Sequence, residues 1–310
     1  MKLIGIDFGG TSCRLALCKP DGTVLSTYHG KGCNPNMVGL ATFQELLKQG
    51  LEHLLAEQGG LSLAIECLCL TAAGITTGDH IPKTEAFLQK LLPGCKKFYL
   101  CSDTLSPLQA ALGSADGGVL IAGTGVVGLY RQNGETKQLG GWGYLLDPGG
   151  SGFHLGRDGW TAVLEDYYGT GPKTMLTEKY VERLGENPHA AIRQLYANVN
   201  LAPSFAPVVL ECAQAGDAVA VEILRHNAAC LAHLADQMAM RLGKNAKLAS
   251  AGGLLTGLPV YFELMKSMMT QPVTCVSNGV PAVCGAAMLA AREAGLPEDP
   301  EFRYNYLATC

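Results

Sequence analysis

The chain has 310 residues, 48% of them hydrophobic and 16% charged, with a net charge of -4. That length is about two domains' worth, and the charge leaves no electrostatic footprint for nucleic acid or an anionic membrane. No apolar run reaches membrane-spanning length, since residues 119–129 are broken by glycines, and Asp7 interrupts what would be a signal-peptide core; a cytoplasmic protein is expected. The 12 cysteines contain no CxxC pair. Cys67 and Cys69, two apart in an apolar run, read as small buried hydrophobes on one face of a strand.

The first informative stretch is Ile4-Gly5-Ile6-Asp7-Phe8-Gly9-Gly10-Thr11-Ser12. Paired glycines let a backbone approach a ligand and leave amide N–H groups free to point at it. A following hydroxyl donates to a phosphate oxygen, and a preceding aspartate holds a hydrated metal ion. A tight Gly-Gly turn between strands accounts for the same residues. The continuation decides the type of cradle. Residues 13–18 and 23–28 flank Asp21-Gly22, a hairpin signal, so no helix follows the glycines and neither a P-loop nor a dinucleotide fingerprint fits.

Farther along, Gly30–Asn36 reads as a loop by its composition. Thr42 and Glu45 form a capping-box pattern ahead of a helix with Phe43, Leu47, Leu51 and Leu54 on one face. Residues 64–71 are predicted as a strand, 85–92 as a helix and 97–101 as a strand that ends at Ser102-Asp103-Thr104. Asp103 has two readings here. It caps the helix that begins near Thr104, or it is a base that accepts a proton from a hydroxyl attacking a phosphate.

Residues 119–122 then lead into Gly123-Thr124-Gly125, a second run, and Asn133-Gly134. This repeats the strand–turn–strand order of the N-terminus and suggests two related lobes. Next comes Gly140-Gly141-Trp142-Gly143-Tyr144-Leu145-Leu146-Asp147-Pro148-Gly149-Gly150-Ser151-Gly152, too glycine-dense for a core and suited to wrapping a small ligand, or to a lid without one. Residues 160–242 read as mostly helical, 247–250 as a strand entering Ala251-Gly252-Gly253, and 283–293 as a last helix rich in small residues.

With these motifs together, the chain resembles the actin-like ATPase and sugar-kinase superfamily. Its DxGGT, Ser102-Asp103, GTG and GGWG elements resemble the N-acetylglucosamine kinase-like branch of the BadF/BadG/BcrA/BcrD ATPases, with signature GGWGxxxGDEGS. The resemblance implies an α/β, two-lobed, ribonuclease H-like fold with duplicated βββαβα cores around a nucleotide cleft. One lobe would span 1–115 plus the C-terminal helix at about 284–310, and the other 116–283 with a helical insertion. It implies ATP and Mg²⁺ as cofactors. Asp7, Gly9, Gly10 and Thr11 would serve the metal and phosphates, with Asp7 on the metal. Gly123, Thr124 and Gly125 would form the second phosphate turn, and Gly252 with Gly253 the adenosine site. Asp103 is implied as the base. Asn34, Asp103, Gly141, Trp142, Asp147 and Ser151 are implied as substrate contacts.

The resemblance thus implies a kinase acting on the terminal (6-) hydroxyl of an amino sugar, N-acetylglucosamine or glucosamine, with a homodimer among the family's habits. Where the family reads GDEGS, however, this chain has Asp147-Pro148-Gly149-Gly150-Ser151. The sugar-contacting aspartate aligns with Pro148, and Asp147 stands in for it only if the loop shifts. Proline offers no side-chain hydrogen bond to a hydroxyl, so the sugar's identity is less defined than the phosphotransfer. Two alternatives belong to other classes. A BadF/BadG-type ATPase drives a partner protein, but the iron–sulfur activators carry a cysteine ahead of the GTG turn, and Ala122 stands there instead. A non-catalytic sugar sensor is the other.

Overall fold

Two strand–turn–strand–turn–strand runs start two compact units in the computed structural model, which describes residues 1–184, 187–276 and 279–310. The first unit comprises Met1–Asp116 and Ser277–Cys310, and the second Gly117–Val276.

In the first unit β1 (Leu3–Phe8), β2 (Ser12–Cys18) and β3 (Val24–Lys31) form an antiparallel meander. Gly22 takes a positive φ of 89° at the Asp21-Gly22 turn, where Asp21 Oδ1 accepts the Thr23 N–H at 2.9 Å. A short α1 (Pro35–Val38) leads to α2 (Leu40–Leu55). The capping box is not used: the helix starts two residues before Thr42, with Gly39 at its N-cap and no side-chain cap. Burial of Phe43, Leu47, Leu51 and Leu54 decides its extent instead. Then follow β4 (Cys67–Ala72), α3 (His80–Leu91), β5 (Phe98–Ser102) and α4 (Leu105–Leu112).

The sheet order is β3-β2-β1-β4-β5, with β1, β4 and β5 parallel. Alternation divides its side chains. Ile4, Ile6 and Phe8 enter one core with Phe43 and Leu47, while Leu3, Cys67, Cys69 and Cys101 enter another on the opposite face. All 12 cysteines are free thiols.

The second unit repeats the plan. β6 (Gly117–Ala122), β7 (Val126–Gln132) and β8 (Glu135–Leu139) form the meander, turning through Asn133 and Gly134, both at positive φ. A helical stretch follows: α5 (Gly152–Tyr168), α6 (Met175–Leu184), α7 (Ala190–Ala197), α8 (Leu201–Gln214) and α9 (Ala218–Leu242). β9 (Lys247–Ala251), α10 (Gly253–Gly257), α11 (Pro259–Met268) and β10 (Thr274–Val276) complete it. Its order, β8-β7-β6-β9-β10, matches the first sheet strand for strand.

The chain then rejoins the first unit through α12 (Ala282–Glu293) and ends in α13 (Phe302–Thr309). α12 is not the final helix, because Phe302 and Tyr306 give α13 a buried face of its own. α12 presses so closely on β1 that a Cβ on Gly5 would lie 2.4 Å from the Ala287 backbone nitrogen. A Cβ on Gly285 would lie 1.9 Å from the Ser106 carbonyl oxygen, so α12 also clamps the first turn of α4. No helix among the described residues is long and apolar enough to cross a membrane.

Candidate active site

Asp7 sits one residue from the end of β1, half-buried, in register with Arg14 on β2 and Thr71 on β4. Paired residues share a sheet face, so the three side chains line up at the edge of the face that α12 covers. Asp7 Oδ1 accepts from the Ser106 hydroxyl at 3.0 Å and lies 3.5 Å from that of Thr71. Burial raises the Asp7 carboxyl to about 6; the Asp103 charge adds to this, while Ser106, Arg14 and Thr71 oppose it. Gly10 and Thr11 are exposed in the turn, and a Cβ at Gly10 would meet nothing within 4 Å.

Asp103 follows β5 on the way into α4. The capping alternative is not realised, since the N-cap is Thr104 and it makes no side-chain cap bond. The Asp103 carboxylate instead takes a 3.4 Å contact from the Ser102 hydroxyl, and burial pushes its pKa upward against that hydrogen bond. Ser106 Oγ lies 3.0 Å from Asp7 Oδ1 and 3.0 Å from the Asp103 backbone carbonyl, two acceptors for its one proton. Asn34 lies in the loop after β3. Its Oδ1 accepts the Asn36 N–H at 2.9 Å, capping α1, and it packs over Gly74, where a Cβ would sit 2.2 Å from that oxygen. Gly32 in the same loop is packed on the Gly9 carbonyl, which brings this loop to the β1–β2 turn.

In the second unit the GTG turn is held by backbone bonds: Gly123 N–H to Gly125 O at 2.9 Å and Gly152 N–H to Gly123 O at 2.7 Å. Gly252, at φ 83°, crosses the end of β6 so closely that a Cβ would lie 2.3 Å from the Ala122 oxygen. A Cβ on Gly123 would lie 4.0 Å from the Gly253 nitrogen, so Gly123, Thr124, Gly125, Gly252 and Gly253 form one glycine-lined site.

The glycine-rich loop departs from expectation. Trp142 is 66% exposed and free to serve as a wall, and Gly141 takes a positive φ of 71°. Asp147 and Ser151, expected as substrate contacts, have internal roles instead. The Asp147 carboxylate is buried and accepts the N–H groups of Trp142 at 3.1 Å and Gly143 at 3.0 Å. Ser151 is the buried N-cap of α5 and hydrogen-bonds with His154 Nδ1 at 2.6 Å. A Cβ at Gly149 would lie 2.8 Å from Cys230 Sγ, so α9 fills the space where a glutamate would stand. Gly150 is fastened to Asn227, and Asn227 to Asp158.

Sequence reasoning missed Arg14, Thr71 and Ser106. Arg14 was findable, because a hairpin closing at Phe8–Cys13 puts it opposite Asp7. It is exposed and forms no ion pair among the described residues. Ser106 was not findable, because only the fold brings residues 99 positions apart together.

The residues present suit a nucleotide and a hydrated Mg²⁺. Among the described residues no group of three or more His, Cys, Asp or Glu is placed to hold a metal. Mg²⁺, which keeps several waters and binds through one or two carboxylates plus phosphates, needs no such cage. Among the described residues the side-chain hydrogen bonds to Asp7 engage Oδ1.

Two five-stranded sheets of identical topology, each opening with a glycine-turned hairpin, define an actin-like mixed α/β ATPase fold. The chain belongs to the BadF/BadG/BcrA/BcrD ATPase family, whose model matches residues 4–290. It is 25% identical to an N-acetyl-D-glucosamine kinase of Dictyostelium discoideum, over 93% of this chain and 97% of that protein. It is also 25% identical to an N-acetylmuramic acid/N-acetylglucosamine kinase of Clostridium acetobutylicum, over 94% and 98%. A solved structure from Chromobacterium violaceum, described as a candidate N-acetylglucosamine kinase, shares the fold with a TM-score of 0.76 at 23% identity, covering 94% of this chain and 98% of that one.

Proposed function

We propose that this protein is an ATP-dependent kinase for the terminal (6-) hydroxyl of an amino sugar, N-acetylglucosamine or glucosamine. The observation that carries the reading is the pair Asp7 and Asp103. Ser106 Oγ lies within hydrogen-bond distance of the Asp7 carboxylate and of the Asp103 backbone carbonyl, and Asp103 is not used as a helix cap. Family membership and the names of the full-length relatives supply the reaction class.

Bound ATP supplies the γ-phosphoryl group, and Mg²⁺ offsets the charge of its phosphates. Asp7 would hold the hydrated ion through its unengaged oxygen. The amides of the Gly9–Thr11 turn and of the Gly123–Gly125 turn would hold phosphate oxygens, and Gly252–Gly253 would admit the adenosine. Asp103 takes the proton of the attacking hydroxyl. Burial raises its pKa, which makes it a better base than an ordinary aspartate. Arg14 adds a fixed positive charge on the Asp7 row, where charge builds on the transferring group. Asn34, Gly141 and Trp142 are the proposed sugar contacts. With Asp147 turned inward, sugar recognition falls on Asn34, on backbone groups and on the Trp142 ring. A cytoplasmic location and a homodimer complete the reading; light scattering of the pure protein tests the second.

The test is ADP release with ATP and Mg²⁺ against N-acetylglucosamine, glucosamine, N-acetylmannosamine, N-acetylmuramic acid and glucose, beside a no-sugar control. Stimulation by N-acetylglucosamine or glucosamine is the expected result. Equal release in every well would point to an ATPase serving a protein partner, and none in any well to a sensor.

A further inference from the structure

Beneath the two carboxylates lies a pair of hydroxyls that the reaction above does not use. Ser106 and Thr71 are both fully buried. Ser106 Oγ lies 3.0 Å from Asp7 Oδ1, 3.0 Å from the Asp103 carbonyl and 3.1 Å from Thr71 Oγ1. Thr71 Oγ1 lies in turn 3.0 Å from the Ile6 carbonyl. A hydroxyl has one proton to give, so this cluster holds two protons for more acceptors than it can serve at once. Two of the arrangements it allows differ only in the Ser106 proton. In one, Thr71 donates to Ser106 and Ser106 to Asp7. In the other, Thr71 still donates to Ser106, whose own proton turns to the Asp103 carbonyl.

We propose that Ser106 is a positioning residue, whose shared proton links the state of the Asp7 carboxylate to the backbone that carries Asp103. The proposal rests on the kinase reading for its consequences, but the link itself is a property of the first unit alone. An ionised, unliganded Asp7 is the strongest acceptor within reach and draws the Ser106 proton. A cation on the other Asp7 oxygen weakens that pull. The proton then turns to the Asp103 carbonyl, while Thr71 goes on donating to Ser106 Oγ and holds it in place. The first turn of α4, clamped from behind where Gly285 crosses the Ser106 carbonyl, has no room to drift. The exchange therefore tightens the Asp103 peptide when Asp7 is occupied. Misplacement of a reacting group by about 1 Å costs on the order of 10²-fold in rate, so a brace of this kind acts on kcat and leaves sugar affinity alone.

The experiment uses the full chain with Ser106→Ala, Thr71→Val, Thr71→Ser and the Ser106→Ala/Thr71→Val double variant. With the stimulating sugar, Ser106→Ala and Thr71→Val should each lower kcat by about 10- to 100-fold, with sugar KM within about twofold of wild type. The double variant should be no worse than Ser106→Ala, because both changes cut the same chain of bonds. Thr71→Ser, which keeps the hydroxyl and loses a methyl, should stay near wild type. If Thr71→Ser is worse than Thr71→Val, or kcat survives loss of either hydroxyl, the role is packing and the proposal fails.

A second readout needs no turnover: amide hydrogen exchange across residues 103–110, with Mg²⁺ present and absent. Mg²⁺ should slow exchange in wild type and not in Ser106→Ala, and a Mg²⁺ effect equal in both overturns the link. If Ser106→Ala does not fold, the two Thr71 variants carry both tests. If wild type shows no sugar-dependent ADP release, the kinase reading falls, and the exchange experiment still decides the link.

Discussion

The β1–β2 hairpin pairs Phe8 with Cys13 around a four-residue turn, residues 9–12, whereas β6–β7 pairs Ala122 with Val126 around three, residues 123–125. One step back, the first hairpin pairs Asp7 with Arg14 and the second pairs Ile121 with Val127. On the parallel neighbour the partners are Thr71 and Ala251. The same scaffold thus carries charged and polar side chains beside one turn and apolar ones beside the other. Charged groups at a turn move protons and hold ions, whereas glycine amides only receive an anion. On the proposed reading the first unit carries the chemistry and the second holds the nucleotide.

The sharpest way to break that comparison is Asp103→Asn. It keeps the shape and removes the base, and kcat should fall by about 10³-fold with sugar KM little changed. Full transfer activity in that variant would move the base elsewhere. Next, Arg14→Met should lower kcat by about 10²-fold, while Val127→Ala, its counterpart in the second hairpin, should change kcat less than about threefold. Equal losses at the two positions would erase the asymmetry.

Because burial raises the Asp7 carboxyl to about 6, protons would compete with Mg²⁺ for it on the proposed reading. Apparent Mg²⁺ affinity should fall as pH drops through about 6, and raising Mg²⁺ should move the acid limb of kcat/KM to lower pH. A limb that ignores Mg²⁺ assigns the titration to another group. The smallest effect is on stability. A carboxyl raised from 3.8 to about 6 costs the fold nothing below pH 3.8 and its full penalty above about 6. Asp7→Asn should therefore raise Tm at pH 7.5 by about 2–4 °C while abolishing activity, and should give no gain at pH 3.5.

Turn chemistry made the hairpins legible. Gly22, Asn133 and Gly134 sit where positive φ is required, and the glycine turns follow from them. Local signals failed where a competing burial pattern was stronger. Thr42 has the residues of a capping box, yet the apolar face of α2 extends the helix past it to Leu40. Asp103 looks like a helix cap and is not one. In the candidate site, sequence spacing found the groups on turns and missed those supplied from elsewhere. Ser106 and Thr71 reach Asp7 only through strand and helix packing, and Asp147 turned inward because two backbone N–H groups of its own loop needed an acceptor. A hydroxyl or carboxylate chooses its partner in three dimensions, and a one-dimensional reading sees only neighbours.

The docking of α12 on β1 also bears on how the protein is made. A ribosome delivers Leu3 and Gly5 first and the helix that covers them nearly last, after all of residues 117–276 have emerged. The second unit is contiguous and is free to close during synthesis, but the first must wait with one face of its sheet bare. Nascent chains stalled before residue 282 should therefore be the chaperone-dependent species. A chain cut there should be rescued by supplying the C-terminal segment in trans, since the missing piece is a lid for an already patterned sheet.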